Sequence, residues 1–137
     1  MKSNRVIVCG YGVVGLHVVD DIINKGASVT VIEINAALSE KIREIGAKVV
    51  VGDATHSDVL KQANIEKADA IAILMDDDAK NLFAVITARD LNKKIFITTR
   101  ANDEFVRSKL IDAGADYIVM PKLVASREIL KQIKSLK

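Results

Sequence analysis

A single cysteine, Cys9, excludes both a disulfide framework and a cysteine-based metal centre. Histidine is almost as scarce, and neither His17 nor His56 has a second histidine or cysteine at ligand spacing, so no metal site is expected. Aromatic residues make up only 4% of the chain while half of it is apolar, which leaves the core to aliphatic side chains. No apolar stretch approaches the roughly eighteen residues of a membrane span. Charge of one sign is lacking as well: the formal net charge of +2 is too small to point to nucleic acid. With 137 residues there is room for one domain and one core, but not for a two-domain dehydrogenase. Together with the lone thiol and the lack of a secretory-type segment, this reads as a cytoplasmic setting.

What is present is concentrated near the start. Residues Val6 to Gly15 read VIVCGYGVVG, an apolar run opening into Gly10-x-Gly12-x-x-Gly15. The glycines serve distinct physical purposes. Gly10 permits a tight strand-to-helix turn, Gly12 lets backbone approach a pyrophosphate, and Gly15 lets the helix lie close on the sheet. The phosphates then meet the positive end of that helix. A lone G-x-G-x-x-G is weak, but here a second apolar strand follows and ends on an acid, Glu33, at about the twenty-residue distance of a ribose contact. A carboxylate there repels a 2′-phosphate, which favours NAD or an unphosphorylated adenosine nucleotide over NADP. A glycine turn kept only for packing is the alternative.

Along the chain, strand-like runs alternate with helical patterns, the order of a parallel sheet covered on both faces. β-Branched and apolar runs place strands at Arg5–Cys9, Ser28–Glu33, Lys48–Val51, Ala70–Met75, Ile95–Thr99 and Tyr117–Met120. Leu16, Val19 and Ile23 mark the inner face of a first helix, and Leu38, Ile42 and Ile45 that of a second. A third begins near Ser57, with Thr55-x-x-Asp58 as a loose capping box. Gly26, Gly46 and Gly114 each close a helical pattern before a strand, the left-handed position that ends a helix. The expectation is a Rossmann-like, doubly wound, six-stranded parallel sheet of two βαβαβ halves, with a last helix over residues 122–137 and the whole of 1–137 as one domain.

In such a sheet the ligand lies outside the carboxyl ends of the strands, so the residues just after each strand are the candidates. Gly52-Asp53-Ala54-Thr55 would border an adenine or form a polar turn. Asp76-Asp77-Asp78 could hold a divalent cation, but the helix from about Ala79 needs an N-cap, and that reading is preferred. Arg100 brings a forked guanidinium to the ligand end, suited to phosphate or to an ion pair with a neighbouring Asp. Cys9 reads as a small core residue, His17 as a surface residue, and His56 as a loop residue near the nucleotide edge. Hydride transfer needs a substrate pocket and an acid or base beside the nicotinamide, normally from a second domain or long insertion. The short loops offer neither, so the nucleotide reads as a ligand to be sensed rather than a catalytic cofactor.

These residues carry a resemblance. The run RVIVCGYGVVG, Glu33, the GDAT segment from Gly52 to Thr55, AIAILMDDDAKNLFAVITARDLN from Ala70, and ITTRANDEFVRSKLIDAGADYIVMPK from Ile97 together resemble the RCK domain, also called KTN or TrkA-N. The likeness runs from Arg5 to about Ser135. It is most specific at the Asp78-x-x-Asn81 helix start and at the ending from Gly114-Ala115-Asp116 to Pro121. The resemblance implies a regulator of potassium channels or of Trk and Ktr potassium transporters, at the inner face of the membrane, that is not an enzyme. It implies binding of NAD(H), or of ATP, ADP or AMP. It also implies a dimer or ring acting on a pore-forming partner. Carried onto this sequence, Gly10, Tyr11, Gly12, Val14 and Gly15 would hold phosphates, Glu33 with Ile34 the ribose, and Asp53 and Ala54 the adenine side. Met75, Asp76, Asp77 and Arg100 would face the distal phosphate or second ribose. Calcium-gated members carry acids just after the fifth strand, where Arg100 and Asn102 stand here, so calcium gating at that place is not expected. A dinucleotide-binding fragment of an oxidoreductase is the other reading.

Two segments point to assembly. Leu82-Phe83-Ala84-Val85-Ile86 is apolar around more than one helix face, and with Phe105, Val106, Leu110 and Ile111 it reads as an assembly surface, or else as a deeply buried core helix. After Pro121 the tail repeats Leu123, Leu130, Ile133 and Leu136 among Lys131, Lys134 and Lys137. The resemblance implies that this helix crosses to a partner subunit.

Overall fold

A computed structural model describes residues 1–136, so Lys137, counted among the tail lysines, lies outside the described residues. Six strands form one all-parallel sheet: β1 (Arg5–Cys9), β2 (Ser28–Glu33), β3 (Lys48–Val51), β4 (Ala70–Ile73), β5 (Phe96–Arg100) and β6 (Tyr117–Val119). Their order is β3-β2-β1-β4-β5-β6, so the direction of winding reverses between β1 and β4. Such a reversal opens a crevice at the carboxyl ends of those two strands.

Helices α1 (Val13–Asn24), α2 (Ser39–Glu44), α3 (Ser57–Gln62), α4 (Asp78–Leu91) and α5 (Arg107–Ala113) fill the crossovers, and α6 (Pro121–Lys134) follows the last strand. Side-chain alternation divides the core between the two faces of the sheet. Val6, Val8, Val29 and Val31 pack with Val19 of α1 and Ile42 of α2, whereas Ile7, Cys9, Ile71 and Ile73 pack with Leu60 of α3, Ala84, Val85 and Ala88 of α4, and Leu110 of α5. Each fully buried aliphatic side chain stabilises the fold by about 1.5–3 kcal/mol relative to exposure. Cys9 is among the buried residues: burial pushes its thiol up to about 12, so it stays protonated and inert, as its place in the strand implies.

The expected strands all form, β1, β2 and β3 with the expected bounds and the last three with ends moved by one or two residues. β4 ends at Ile73 rather than Met75, because Met75 turns out of the ladder to bond with Asn81. β5 runs one residue later, over Phe96–Arg100, and β6 stops at Val119 because Met120 is the N-cap of α6. The second helical pattern splits into a 3-10 turn at Ala36–Leu38 and α2, yet Leu38, Ile42 and Ile45 all still face the core. Gly26, Gly46 and Gly114 all have positive φ, the left-handed closure expected of them. The Thr55-x-x-Asp58 capping box does not form: His56 is the N-cap, without a side-chain bond, because Thr55 is committed to Asp53. Helix α4 buries Asn81, Ala84, Val85 and Ala88 while Phe83 and Ile86 remain exposed, so the deeply buried alternative does not hold. No residue of α6 is buried against the rest of the chain.

Candidate functional site

The carboxyl ends of the strands meet around the turn from β1 to α1. Gly10 has φ +97°, and a Cβ there would lie 3.0 Å from the Leu74 carbonyl oxygen, so both backbone and neighbour demand glycine. A Cβ on Gly15 would fall on the carbonyl oxygen of Gly10, so the close seating of α1 on the strand end depends on its absence. Gly12 differs, since a Cβ there would meet nothing within 4 Å. It is the N-cap of α1 and supplies no side-chain bond, and the first turn contains no acid. The helix therefore presents uncapped N–H groups and the positive end of its dipole, a ready anion site.

Glu33, at the end of β2, reaches under this turn. Its Oε1 accepts from the Tyr11 N–H at 2.9 Å and its Oε2 from the Asn35 N–H at 2.9 Å. An ionised carboxylate has about four acceptor positions, so two N–H groups leave about two for hydroxyls. Fixed by both bonds, the carboxylate is pre-organised rather than free to rotate.

The next strand end supplies Asp53, whose Oδ1 accepts from the Thr55 N–H at 2.9 Å and from the Thr55 hydroxyl at 2.7 Å. The Thr55 N–H and then the Thr55 hydroxyl hold the Asp53 carboxyl below its ordinary range; burial opposes them, and the nearby His56 and Lys80 add smaller help. His56 is exposed with its Nε2 3.7 Å from Asp53, the loop position expected of it.

Beyond β4, the three aspartates have separate structural partners. The Asp77 side chain caps α4 by accepting from the Lys80 N–H at 3.0 Å. Asp78 accepts from the Asn102 and Asp103 N–H groups at 2.8 and 3.0 Å, tying the start of α4 to the loop after β5. Asp76 lies 3.5 Å from Arg100. The preference for capping over cation binding holds for Asp77, and among the described residues no three metal-ligating side chains converge. Asn81, fully buried, closes the arrangement: its Oδ1 accepts from the Met75 N–H, and its Nδ2 donates to the carbonyls of Met75 and Arg100.

These elements enclose a cleft of about 240 Å³. Of the residues expected to bind a nucleotide, Gly10, Tyr11, Gly12, Glu33, Ile34, Asp53, Ala54, Met75, Asp76 and Asp77 line it. Val14 and Gly15 do not line it; they belong to the first turn of α1, where a ligand would meet backbone rather than side chain. Arg100 is outside it too, its guanidinium held by Asn102 Oδ1 at 3.2 and 3.3 Å and paired with Asp76. Of the two uses its sequence position allowed, the ion pair is the one formed. Lys80 also lines the cleft, a residue that the sequence patterns did not single out. A signal was available, since a lysine in the first turn of a helix faces the positive end of the dipole, where cations are disfavoured.

Comparison with known proteins agrees with this geometry. The TrkA-N domain family matches residues 6–121. Potassium channel protein 1 of Methanocaldococcus jannaschii is 35% identical over 131 residues, covering 94% of this chain and 39% of the relative. A Trk system potassium uptake protein TrkA homolog of Pyrococcus abyssi is 34% identical, covering 93% of this chain and 59% of its own length. The chain thus spans well under half of the channel protein and about three fifths of the TrkA homolog. Among solved structures, the TrkA-N domain of the inner membrane protein ybaL from Escherichia coli superposes with a TM-score of 0.90 at 25% identity, covering 95% of this chain and 96% of that one. GsuK bound to ADP superposes with a TM-score of 0.80 at 28% identity, covering 93% of this chain and 33% of that one. With the family matched across most of its length, and the sheet order, glycine turn and Glu33 all in place, this chain belongs to the TrkA-N domain family.

Proposed function

We propose that this chain is a nucleotide-sensing regulatory domain that controls a potassium channel or a potassium uptake transporter, and that its ligand is NAD(H) or an adenosine nucleotide. The observation that carries the reading is the Glu33 carboxylate, locked beside an uncapped helix N-terminus across a glycine turn. Phosphates sit on the α1 end over Gly12, and Glu33 accepts from the ribose hydroxyls. The adenine lies toward Asp53 and Ala54, and the distal part of the ligand lies toward Met75, Asp76 and Asp77. The names of the relatives, a potassium channel protein and a TrkA homolog, support the regulatory role, and the ADP-bound neighbour supports an adenosine nucleotide. The pore-forming partner lies in the membrane and this domain at its inner, cytoplasmic face; no helix of the described residues is long and apolar enough to cross a bilayer.

The domain does not catalyse hydride transfer in this reading. The cleft is walled by backbone, apolar side chains, Tyr11 and carboxylates that already have structural partners, and Lys80 is the only basic side chain among its described lining residues. Calorimetric titration with NAD, NADH, ATP, ADP and AMP tests the proposal, with the Gly12→Val variant beside the parent. Stoichiometric binding without NADH turnover, lost in a variant that still folds, is the expected result. Binding that survives Gly12→Val puts the ligand elsewhere, and steady oxidation of NADH by added hydride acceptors favours the oxidoreductase fragment instead.

A further inference from the structure

Four carboxylates, those of Glu33, Asp53, Asp76 and Asp77, line the cleft that is proposed to receive an anionic ligand. Left to themselves they oppose every phosphate that enters. Each has a partner: backbone N–H groups for Glu33 and Asp77, Thr55 for Asp53, and Arg100 for Asp76. Among the described residues lining the cleft, Lys80 is the single cation, and it forms no ion pair with any of the four. It lines the same cleft as Asp53 and lies near enough to help keep that carboxylate ionised. Its own position is unfavourable for a cation, in the first turn of α4 against the helix dipole. A lysine there lacks the usual compensation of a paired acid, but an incoming phosphate supplies it.

We infer that Lys80 is the specificity-determining residue of the cleft, the one cation that itself lines the cleft among the described residues and so sets how much phosphate charge the ligand can carry. This rests on the nucleotide reading proposed above. An internal pyrophosphate carries one negative charge per phosphorus, whereas a terminal phosphate carries about −1.5 to −2 at neutral pH. With one ammonium against four carboxylates, the cleft takes the esterified pyrophosphate of a dinucleotide in preference to the longer, more highly charged triphosphate of ATP. The helix end attracts both ligands through fixed backbone partial charge, so the part of the balance that side chains set falls to Lys80 and its acidic surroundings.

The test is calorimetric titration of NADH, ATP and adenosine, in chelator and at fixed ionic strength, into the parent, Lys80→Gln, Lys80→Arg and Gly12→Val. The parent binds NADH more tightly than ATP. Lys80→Gln weakens NADH by about tenfold, the scale of one charge-assisted contact, and ATP by about a hundredfold, while leaving adenosine unchanged. Lys80→Arg restores most of both losses. Parental affinities in Lys80→Gln overturn the inference while leaving the nucleotide reading intact, provided Gly12→Val abolishes binding. An equal loss for adenosine, NADH and ATP overturns it too, because it assigns Lys80 to the shape of the site rather than to its charge. A parent that binds none of the three overturns the nucleotide reading, and this inference with it.

Discussion

The carboxylate of Glu33 holds the glycine turn in place before any ligand arrives, since one of its oxygens already accepts the Tyr11 N–H. Removing it acts twice, freeing the turn and deleting the acceptor for the ribose. Glu33→Ala is expected to weaken NAD binding by about 1–3 kcal/mol, the scale of a hydrogen bond to a charged group or of a group left unsatisfied. Glu33→Gln keeps an acceptor and loses less. Titration of NAD and NADP into the parent supplies the matching check: a carboxylate beside the 2′ position makes NADP the weaker ligand, and tighter binding of NADP refutes the role given to Glu33. Neighbouring glycines separate fold from function in the same way. Gly15 is required by the Gly10 carbonyl within the chain itself, whereas a Cβ on Gly12 would meet nothing within 4 Å, so a binding loss in Gly12→Val would report on the proposed ligand rather than on the fold.

Helix α4 is where the elements are joined. Its first residue, Asp78, and its buried Asn81 together bind backbone groups from the loops after β4 and β5, so the start of one helix fixes the shape of two strand ends. Asn81→Leu preserves approximate volume but leaves the Met75 N–H and C=O and the Arg100 C=O without their partner. The expected cost is about 1–3 kcal/mol for each group that stays buried and unsatisfied, read as a lowered midpoint in urea denaturation. An unchanged midpoint means that these loops hold their shape without Asn81. The sequence displayed much at this scale, because period-two and period-3.6 patterns report burial directly: all six strands, α1 and the cap of α4 follow from it. The misread features are those in which polar side chains chose among near-equal partners. Thr55 bonded back to Asp53 instead of capping α3, and Asn81 drew Met75 out of β4, while Arg100 took the ion pair with a neighbouring Asp that its position also allowed. Such choices depend on distances between segments far apart in sequence, which no local pattern encodes.

At the scale of the molecule, the apolar side chains that the chain does not cover for itself include residues on three helices. Phe83 and Ile86 of α4 are 59% and 47% exposed, Ile111 of α5 is 54% exposed, and Phe105, just before α5, is 70% exposed beneath the Lys109 ammonium at 4.6 Å. Helices α4 and α5 pack against each other, so their outward residues lie on neighbouring elements, while Ile129 and Ile133 are exposed on α6. We expect the α4 and α5 residues to be covered by a second copy of the chain. In a two-fold interface each residue counts twice, so burying the exposed part of Phe83 in both copies is worth about 2–3.5 kcal/mol, taking about 1.5–3 kcal/mol for a fully buried side chain. Phe83→Glu removes that contribution and adds two desolvated carboxylates, which moves the dimer dissociation constant by at least about one to two and a half orders of magnitude. Analytical ultracentrifugation reads the outcome: a dimeric or larger parent and a monomeric Phe83→Glu at the same concentration. A parent that remains strictly monomeric at high micromolar concentration refutes the assembly. Without an assembly, ligand-dependent changes at the cleft have no neighbouring lobe to move, because a ligand shifts an arrangement only through its differential affinity for two states of that arrangement.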